Sequence, residues 1–159
     1  MMTDADREDV AQFIERHWHS RRVMSSGKAY YPHQEEAFIE RRDGQIVGLL
    51  TFRCDENGME ILTLNSTLEG QRIGSSLMLA AIEQARQRGV HRIWLTTTND
   101  NTRVLIFYQR LGFRLIEVRL NVVDEARKIK PEIPEIGHLG IPIHDEWVLE
   151  LSVKPYLDG

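Results

Sequence analysis

The sequence predicts a single α/β domain of α+β type, with a mixed central sheet, antiparallel N-terminal strands and flanking helices. Asp-Gly at 43–44 and Asn-Gly at 57–58 each lie between β-type runs, which is a strong signature of antiparallel hairpins. A strand–helix–strand succession follows over 59–98, and a connection of that length joins parallel strands. The 159 residues fit one domain, 1–159.

The N-terminal half is predicted as a helix followed by three antiparallel strands. Capping residues precede an apolar stripe, which predicts a helix over about 4–18. Residues 20–34 are predicted as a second short helix or a loop. The two hairpin signals then place strands at 36–42, 45–54 and 59–66.

The C-terminal half is predicted to alternate helices and strands. A helix runs from Ile73 to about Arg88, because apolar residues recur on one stripe and a glycine suits the C′ position. A second helix follows the cluster 99–101, whose side chains are expected to act as N-caps. The other predicted strands are at 92–98, 113–122 and 146–153. Residues 123–144 are predicted as an insertion, in which 123–130 is compatible with a helix and the rest is irregular.

Composition restricts the function classes. The net charge of −4 argues against a nucleic-acid partner, although residues 70–130 carry an excess of Lys and Arg that suits a polyanionic small ligand. No apolar run approaches the roughly 20 residues of a membrane span, so no membrane partner is expected. Cys54 is the only cysteine, and without a signal-peptide pattern this favours a cytoplasmic location. His17 and His19 lack metal-ligand company, so no metal is expected.

The segment 69–78 carries the strongest chemical signal. A strand turns through Gly70 into a helix, whose first backbone N–H groups are free and lie at the positive end of the helix dipole. Gly70 and Gly74 allow a ligand to approach the backbone, and two serines add hydroxyl donors. Such a turn binds anions, usually phosphate. The spacing matches neither a P-loop nor a dinucleotide fingerprint, and a plain strand-to-helix turn stays open as the alternative.

Two segments together resemble the GNAT superfamily of acyl-CoA N-acyltransferases. The family's pyrophosphate-loop pattern, Q/R-x-x-G-x-G/A, falls on residues 69–74. Its second pattern, Asn-x-x-Ala-x-x-Phe-Tyr-x-x-x-Gly-Phe, falls on residues 101–113. The two stand in the family's order and separation, and the resemblance covers about residues 36–122.

Three residues depart from the family pattern. Glu69 replaces Gln or Arg and would repel a diphosphate unless its side chain points away. Arg72 replaces the first Gly and could compensate by pairing with a phosphate. Val104 replaces Ala. The family also begins with a strand before its first helix, and here that strand is expected to be short or missing.

The resemblance implies acetyl-CoA as co-substrate, entering where the family's fourth and fifth strands splay. The pantetheine arm would pair with an exposed strand edge, the diphosphate would lie on the loop amides, and an asparagine would meet the arm from the other side. The expected cofactor-binding residues are Leu64, Asn65, Ser66, Gly70, Gln71, Arg72, Ile73, Gly74, Ser75, Ser76 and Asn101.

Acyl transfer to an amine needs a neutral amine, an N–H donor for the tetrahedral oxyanion and a proton for the leaving thiolate. Tyr108 is expected to be the general acid, since it is the phenol of the second signature and has an ordinary pKa near 10. Glu60 is expected to be the general base, directly or through water, with an exposed strand carboxylate of no catalytic role as the alternative. His144, Asp145 and Glu146 are alternatives that could instead bind a cationic amine.

The sequence therefore predicts an acyl-CoA-dependent N-acetyltransferase that moves an acetyl group to a primary amine by direct attack in a ternary complex. A non-catalytic acyl-CoA-binding or regulatory module on the same fold is the alternative, which the departures at Glu69 and Arg72 keep open. The acceptor's identity is not specified. The oligomeric state is open, with a homodimer as the alternative to a monomer.

Overall fold

Four helices and eight strands lie within residues 1–156, the part of the chain that the computed structural model describes; residues 157–159 of the predicted domain lie outside it. The helices are α1 Arg7–Trp18, α2 Ile73–Gln87, α3 Thr102–Arg110 and α4 Val122–Ile129. The strands are β1 Val23–Ser25, β2 Lys28–Tyr30, β3 Glu36–Arg42, β4 Gln45–Asp55, β5 Gly58–Ser66, β6 Arg92–Thr98, β7 Arg114–Arg119 and β8 Glu146–Ser152. Short 3-10 turns occupy Asp4–Asp6, Pro32–Gln34 and His138–Gly140.

Six of the strands form one mixed sheet in the order β3-β4-β5-β6-β8-β7. The strands β3, β4 and β5 pair antiparallel, β5 and β6 pair parallel, and β8 pairs antiparallel with both β6 and β7. The predicted mixed sheet, with antiparallel N-terminal strands and one parallel pair, is confirmed.

Helices cover both faces of this sheet. Neighbouring residues of β4 point to opposite faces, so each packs against a different helix. Leu49 packs in the cluster that contains Phe13 of α1, whereas Leu50 packs in the cluster that contains Met78 of α2. On the same face as Leu50, Gly48 allows α2 to approach the sheet closely. A Cβ built at Gly48 would lie 2.3 Å from Cγ2 of Ile73, the first residue of α2. This contact fixes the start of α2 against the sheet.

The segment 20–34, predicted as a helix or a loop, instead forms the hairpin β1–β2 and a 3-10 turn. Ser26 and Gly27 make its two-residue turn with φ of 52° and 75°. Positive φ at both turn positions matches the right-handed twist of hairpin strands. The Ser-Gly pair was the sequence signal for this turn, but the strands on either side of it are only three residues long.

The strand predicted at 113–122 is too long. The strand β7 ends at Arg119, and Asn121 adopts the left-handed conformation with φ 63° before α4 begins. The helix expected within 123–130 is confirmed by α4.

The N-terminus lacks the family's first strand, since residues 1–6 contain no strand. A single backbone bond, from Met2 N to Ala37 O at 2.8 Å, ties this segment to β3. No helix within residues 1–156 is both long enough and apolar enough to cross a membrane.

Candidate active site

A cleft opens in the sheet where β5 and β6 separate. Their parallel pairing ends at Ile61 opposite Leu95. Leu62 has no partner in the β4 register, so it forms a bulge, and bulges bend the strand that contains them. Beyond this bulge, residues 63–66 pair with β4 alone. Their backbone groups on the β6 side are therefore open to a ligand.

The walls of the cleft come from four elements. Residues 61–64 line it on β5 and residues 95–97 on β6, while Trp18, Asn101 and Tyr108 complete it from α1, the α3 N-cap and α3. The structure therefore brings Leu64 and Asn101, two of the predicted arm-binding residues, into one cleft.

The other two predicted arm-binding residues make different contacts. Asn65 Oδ1 accepts a hydrogen bond of 2.9 Å from Trp18 Nε1. Ser66 Oγ donates to Leu68 O at 3.0 Å. Both side chains are thus engaged within the protein, which leaves their backbone groups as the means of contacting a ligand.

The turn into α2 has the geometry of an anion site. Arg72 is the N-cap and adopts the left-handed conformation, with φ 55° and ψ 26°. Glycine adopts this conformation without strain, which explains the family preference for glycine there. Within the described residues the amides of Ile73, Gly74 and Ser75 have no acceptor, and the first helical bond runs from Ser76 N to Arg72 O.

The remaining loop residues keep this turn accessible. Gly70, with φ 71°, has open space around its Cα, and Glu69 is exposed. The Gln71 side chain accepts a 2.6 Å hydrogen bond from Arg42 Nη1. A Cβ at Gly74 would lie an ordinary 3.6 Å from the Phe107 ring, so this position tolerates the alanine that the family pattern also allows.

A groove of about 720 Å³ continues from this turn between α2 and α3. Ser75 and Ser76 line it together with three guanidinium groups, those of Arg72, Arg103 and Arg110. The sequence analysis missed Arg103 and Arg110, which lie on the same side of α3 only once the helix is formed. Amides, hydroxyls and arginines in succession suit a polyphosphate ligand.

Tyr108 presents a buried phenol to the cleft. It is 6% exposed, and its ring packs against Phe107 and Phe113 with centroid distances of 5.1 and 5.3 Å. Its hydroxyl makes no hydrogen bond to residues 1–156. Burial raises the pKa of Tyr108 above its ordinary 10.0. The phenol therefore stays protonated and has a hydrogen-bond donor to offer.

Glu60 lies behind the cleft wall and not on it. It is 4% exposed, and its Oε2 accepts a 2.5 Å hydrogen bond from Ser25 Oγ, which lies 3.0 Å from Thr96 Oγ1 on the cleft wall. Burial raises the pKa of Glu60, against the lowering effect of the Ser25 hydrogen bond and of Arg53. Ser25 and Thr96, which the sequence analysis missed, thus connect this carboxyl to the cleft.

A second buried carboxyl, Glu146, begins β8. It is 7% exposed, and its Oε1 has no hydrogen-bond partner within residues 1–156. The nearest recorded cation is Arg119, whose Nη1 lies 3.9 Å from that oxygen and also donates to Ser26 Oγ. Burial raises the pKa of Glu146, and the charge of Glu60 raises it further, whereas Arg119 lowers it.

Glu146 lines a cavity of about 260 Å³, which we call the α4 chamber. Its walls are residues 17–19 at the end of α1, Met24, the α4 residues Val123 and Ala126, and the following segment 130–134, with Ile143 and Thr98. Trp18 lines both the chamber and the cleft.

The two alternatives beside Glu146 do not reach either cavity. His144 is exposed, with Nδ1 3.3 Å from Asp124 Oδ2, and Asp145 Oδ1 accepts from Asn121 N at 2.8 Å. The structure thus buries Glu60 and Glu146 close enough for the charge of Glu60 to affect the pKa of Glu146, and leaves His144 and Asp145 in a surface network.

The cluster 99–101, predicted to cap α3, instead fastens the insertion. Asn101 is the N-cap but makes no side-chain capping bond, and donates to Thr97 Oγ1 at 3.2 Å. Asn99 accepts from the backbone of His144 and Asp145 and donates to Pro142 O. The N-cap position lies in the predicted cluster, but the expected side-chain capping bond is wrong, because Asn99 and Asp100 have tertiary partners that local sequence does not reveal.

The comparisons with known proteins agree with this geometry. Residues 4–113 match the family described as Acetyltransferase (GNAT) family. The chain belongs to the GNAT family of acetyltransferases. Its relatives include YxbD, an uncharacterised protein of Bacillus subtilis that is 40% identical over 141 residues, covering 88% of this chain and 89% of YxbD. N-alpha-acetyltransferase 30 of Schizosaccharomyces pombe is 29% identical over 113 residues, covering 63% of this GNAT chain and 75% of the yeast protein.

A solved GNAT structure supports the same assignment. The acetyltransferase from Elizabethkingia anophelis with acetyl-CoA bound has a TM-score of 0.63 and 25% identity, covering 75% of this chain and 76% of that one. The predicted family and its fold are therefore confirmed. Family membership supports acyl-CoA-dependent acetyl transfer by this GNAT chain.

Proposed function

We propose that this protein transfers an acetyl group from acetyl-CoA to a primary amine by direct attack in a ternary complex. The observation that supports this best is the cleft between β5 and β6, where an open strand edge faces the protonated, unpartnered phenol of Tyr108. An amide-bearing acyl-CoA arm and a departing thiolate need those two features.

The residues of the cleft and the α2 turn suit acetyl-CoA. The open backbone of Leu64, Asn65 and Ser66 can pair with the amides of the arm, and Asn101 faces it from the opposite wall. The diphosphate would lie on the turn 71–76, where the amides of Ile73, Gly74 and Ser75 are free, next to the arginine-lined groove. Such contacts to the main chain do not depend on Glu69, whose exposed carboxylate is screened by solvent.

In the reaction, the amine nitrogen forms a bond to the thioester carbonyl carbon and the carbon–sulfur bond breaks. The open amides of β5 can donate to the oxyanion of the tetrahedral intermediate. Tyr108 gives a proton to the leaving sulfur. The attacking nitrogen loses one proton to Glu60 through the Ser25 hydroxyl or water, so the proton that the amine loses balances the one that the thiol gains. The raised pKa of Glu60 makes it a better base than an exposed carboxylate.

Two measurements test this proposal. Acetyl-CoA at about 100 times its dissociation constant should stabilise the fold by about 2.7 kcal/mol, which at about 2–4 °C per kcal/mol is a rise of roughly 5–11 °C in melting temperature. Chromatographic detection of free CoA should then show release that depends on an added primary amine. An unchanged melting temperature at millimolar acetyl-CoA would contradict the proposal. Binding without turnover on any amine would indicate the non-catalytic acyl-CoA-binding module instead.

A further inference from the structure

The α4 chamber has both apolar and polar walls: seven of its thirteen lining residues are apolar and six are polar or charged. Met24, Val123, Ala126, Ile133 and Ile143 give it a hydrocarbon lining. Its volume of about 260 Å³ equals the share of roughly nine water molecules in the liquid, at about 30 Å³ each. A small organic molecule with an apolar body therefore fits it, and burying that body would release water.

Glu146 lines the chamber, and its Oε1 is buried without a hydrogen-bond partner within residues 1–156. A buried carboxylate oxygen without a donor is costly, and a ligand that donates an N–H removes the cost. Arg119 does not fill this role, because its Nη1 stands 3.9 Å away and donates to Ser26 Oγ at 2.6 Å instead. The unsatisfied acceptor indicates a ligand with an N–H donor.

The other charged groups of the chamber already have partners. Lys130 Nζ donates to Arg22 O at 2.7 Å, and burial lowers its pKa, which weakens its repulsion of a cation. Glu132 lies 3.7 Å from Arg22 Nη2 in an ion pair at the protein surface. Neither group is hydrogen-bonded to Glu146, so its Oε1 remains available as an acceptor.

The chamber and the cleft are adjacent. Trp18 is a wall of both, and Thr96 and Thr98 of β6 line the cleft and the chamber respectively. Because alternate residues of a strand point to the same side, these two threonines are neighbours on one face of β6. A molecule in the chamber can therefore direct one end past Trp18 towards the acyl group in the cleft.

We propose that the α4 chamber is the acceptor site and takes a primary amine on an apolar aryl or alkyl body, with Glu146 Oε1 accepting a hydrogen bond from the amine nitrogen. This inference rests on the proposed acetyl transfer and names its substrate class. Polyamines and amino acids are poor fits, because a second charge would lie against the hydrocarbon lining. Glu146 binds and orients the amine, and Glu60 remains the base.

A matched set of amines tests the class. 2-Phenylethylamine, spermidine and glutamate are each supplied with saturating acetyl-CoA, and acetylated amine and free CoA are both measured. We expect 2-phenylethylamine to have the highest kcat/KM, by tenfold or more, since apolar contacts worth a few methylene groups discriminate by that factor. In the CoA-bound protein, 2-phenylethylamine should also raise the melting temperature, and 2-phenylethanol, which has the same body without the amine, should do so far less.

Variants then test the residue roles. Glu146→Gln keeps the shape and an acceptor oxygen but removes the charge, so KM for 2-phenylethylamine should rise roughly 10–100-fold with a small change in kcat. Ile133→Ala removes chamber lining and should raise KM by about tenfold for the aryl amine but not for methylamine. Glu125→Gln is the matched control, because it removes an exposed carboxylate from the same helix α4, and its kinetics should equal those of the wild type.

The outcomes separate this inference from the proposed function. A protein that does not bind acetyl-CoA fails the proposed function itself. If acetyl-CoA binds and spermidine or glutamate is the preferred acceptor, acetyl transfer stands and the apolar-amine inference is overturned. A Glu146→Gln variant with unchanged KM and a collapsed kcat would also overturn it, because Glu146 would then be the base and not the binding group. Melting curves of each variant exclude misfolding as the cause.

Discussion

Tyr108→Phe tests whether the phenol is a general acid. The substitution removes only the hydroxyl and keeps the ring that packs against Phe107 and Phe113 at 5.1 and 5.3 Å. The hydroxyl makes no hydrogen bond to residues 1–156. A lost hydrogen bond would cost about 0.5–1.5 kcal/mol, and here none is lost, so we expect the free energy of unfolding to stay within about 0.5 kcal/mol. The fold should therefore survive intact.

The effect on turnover follows from comparing the pKa of the Tyr108 phenol with that of the leaving thiol. Burial raises the pKa of Tyr108 above its ordinary 10.0, while a free thiol titrates near 8.5. Proton transfer from the phenol to the thiolate is thus uphill, so Tyr108 is a weaker general acid than a group whose pKa matches that of the thiol. General acids contribute about 10²–10⁴-fold, and this mismatch favours the low end, so kcat should fall about 10²-fold. The affinity for acetyl-CoA should stay near that of the wild type.

Single-turnover measurement of acetyl transfer is the suitable assay, because it does not depend on product release. Tyr156→Phe is the matched control: it makes the same chemical change at an exposed tyrosine, whose hydroxyl donates to Glu83 Oε2 at 2.7 Å. Its rate should be unchanged. An unaltered single-turnover rate in Tyr108→Phe would refute the general-acid role. A large fall in its melting temperature with a matching loss of activity would mean that the tyrosine is structural.

Two further substitutions test the anion turn and the base. Arg72→Gly should relieve about 1–2 kcal/mol of strain from the left-handed backbone conformation. The greater backbone entropy of glycine in the unfolded chain should offset roughly 0.5–1 kcal/mol of this gain, so the fold should be stabilised by about 0.5–1 kcal/mol. Arg72→Ala should weaken CoA binding by an amount that shrinks at high salt, and salt-independent binding would refute the phosphate contact. Glu60→Gln should lower kcat/KM. It should also abolish the acidic limb of the pH profile of kcat/KM, whose midpoint in the wild type should lie above the ordinary carboxyl pKa of 4.5. A raised pKa of Glu60 in the folded state means that the wild type loses stability as pH rises through that pKa. The melting temperature of Glu60→Gln minus that of the wild type should therefore increase from about pH 4 to about pH 8. A difference in melting temperature that does not change with pH would contradict this.

The elements that the sequence predicts well are those whose signals are local. Asp-Gly and Asn-Gly turns fix β3, β4 and β5, and the apolar stripe fixes α2, all to within one residue at each end. The predicted parallel pair is also correct, since connection length determines it. The turn into α2 at Arg72 follows from a similar local pattern, whereas the position of Tyr108 in the cleft was expected from the second family pattern.

The features that sequence reasoning missed depend on distant contacts. Asn99 resembles a capping residue in sequence, but it binds backbone groups about 45 positions away. Ser25 gains its role only because the hairpin β1–β2 carries it to Glu60. Glu60 looked like an exposed strand carboxylate beside the cleft, and its 4% exposure comes from elements that pack over it from elsewhere in the chain. None of these three long-range contacts leaves a periodic signal in the sequence.

The position of Trp18 has a thermodynamic consequence. Its indole forms a wall of both the cleft and the α4 chamber, and its Nε1 is bonded to Asn65 at the edge where β5 is open. Any ligand that fixes or displaces this ring from one side changes the free energy of binding on the other side. By linkage the change is reciprocal, so each ligand must alter the dissociation constant of the other by the same factor. Any coupling free energy between the two compartments would therefore pass through the Trp18 side chain.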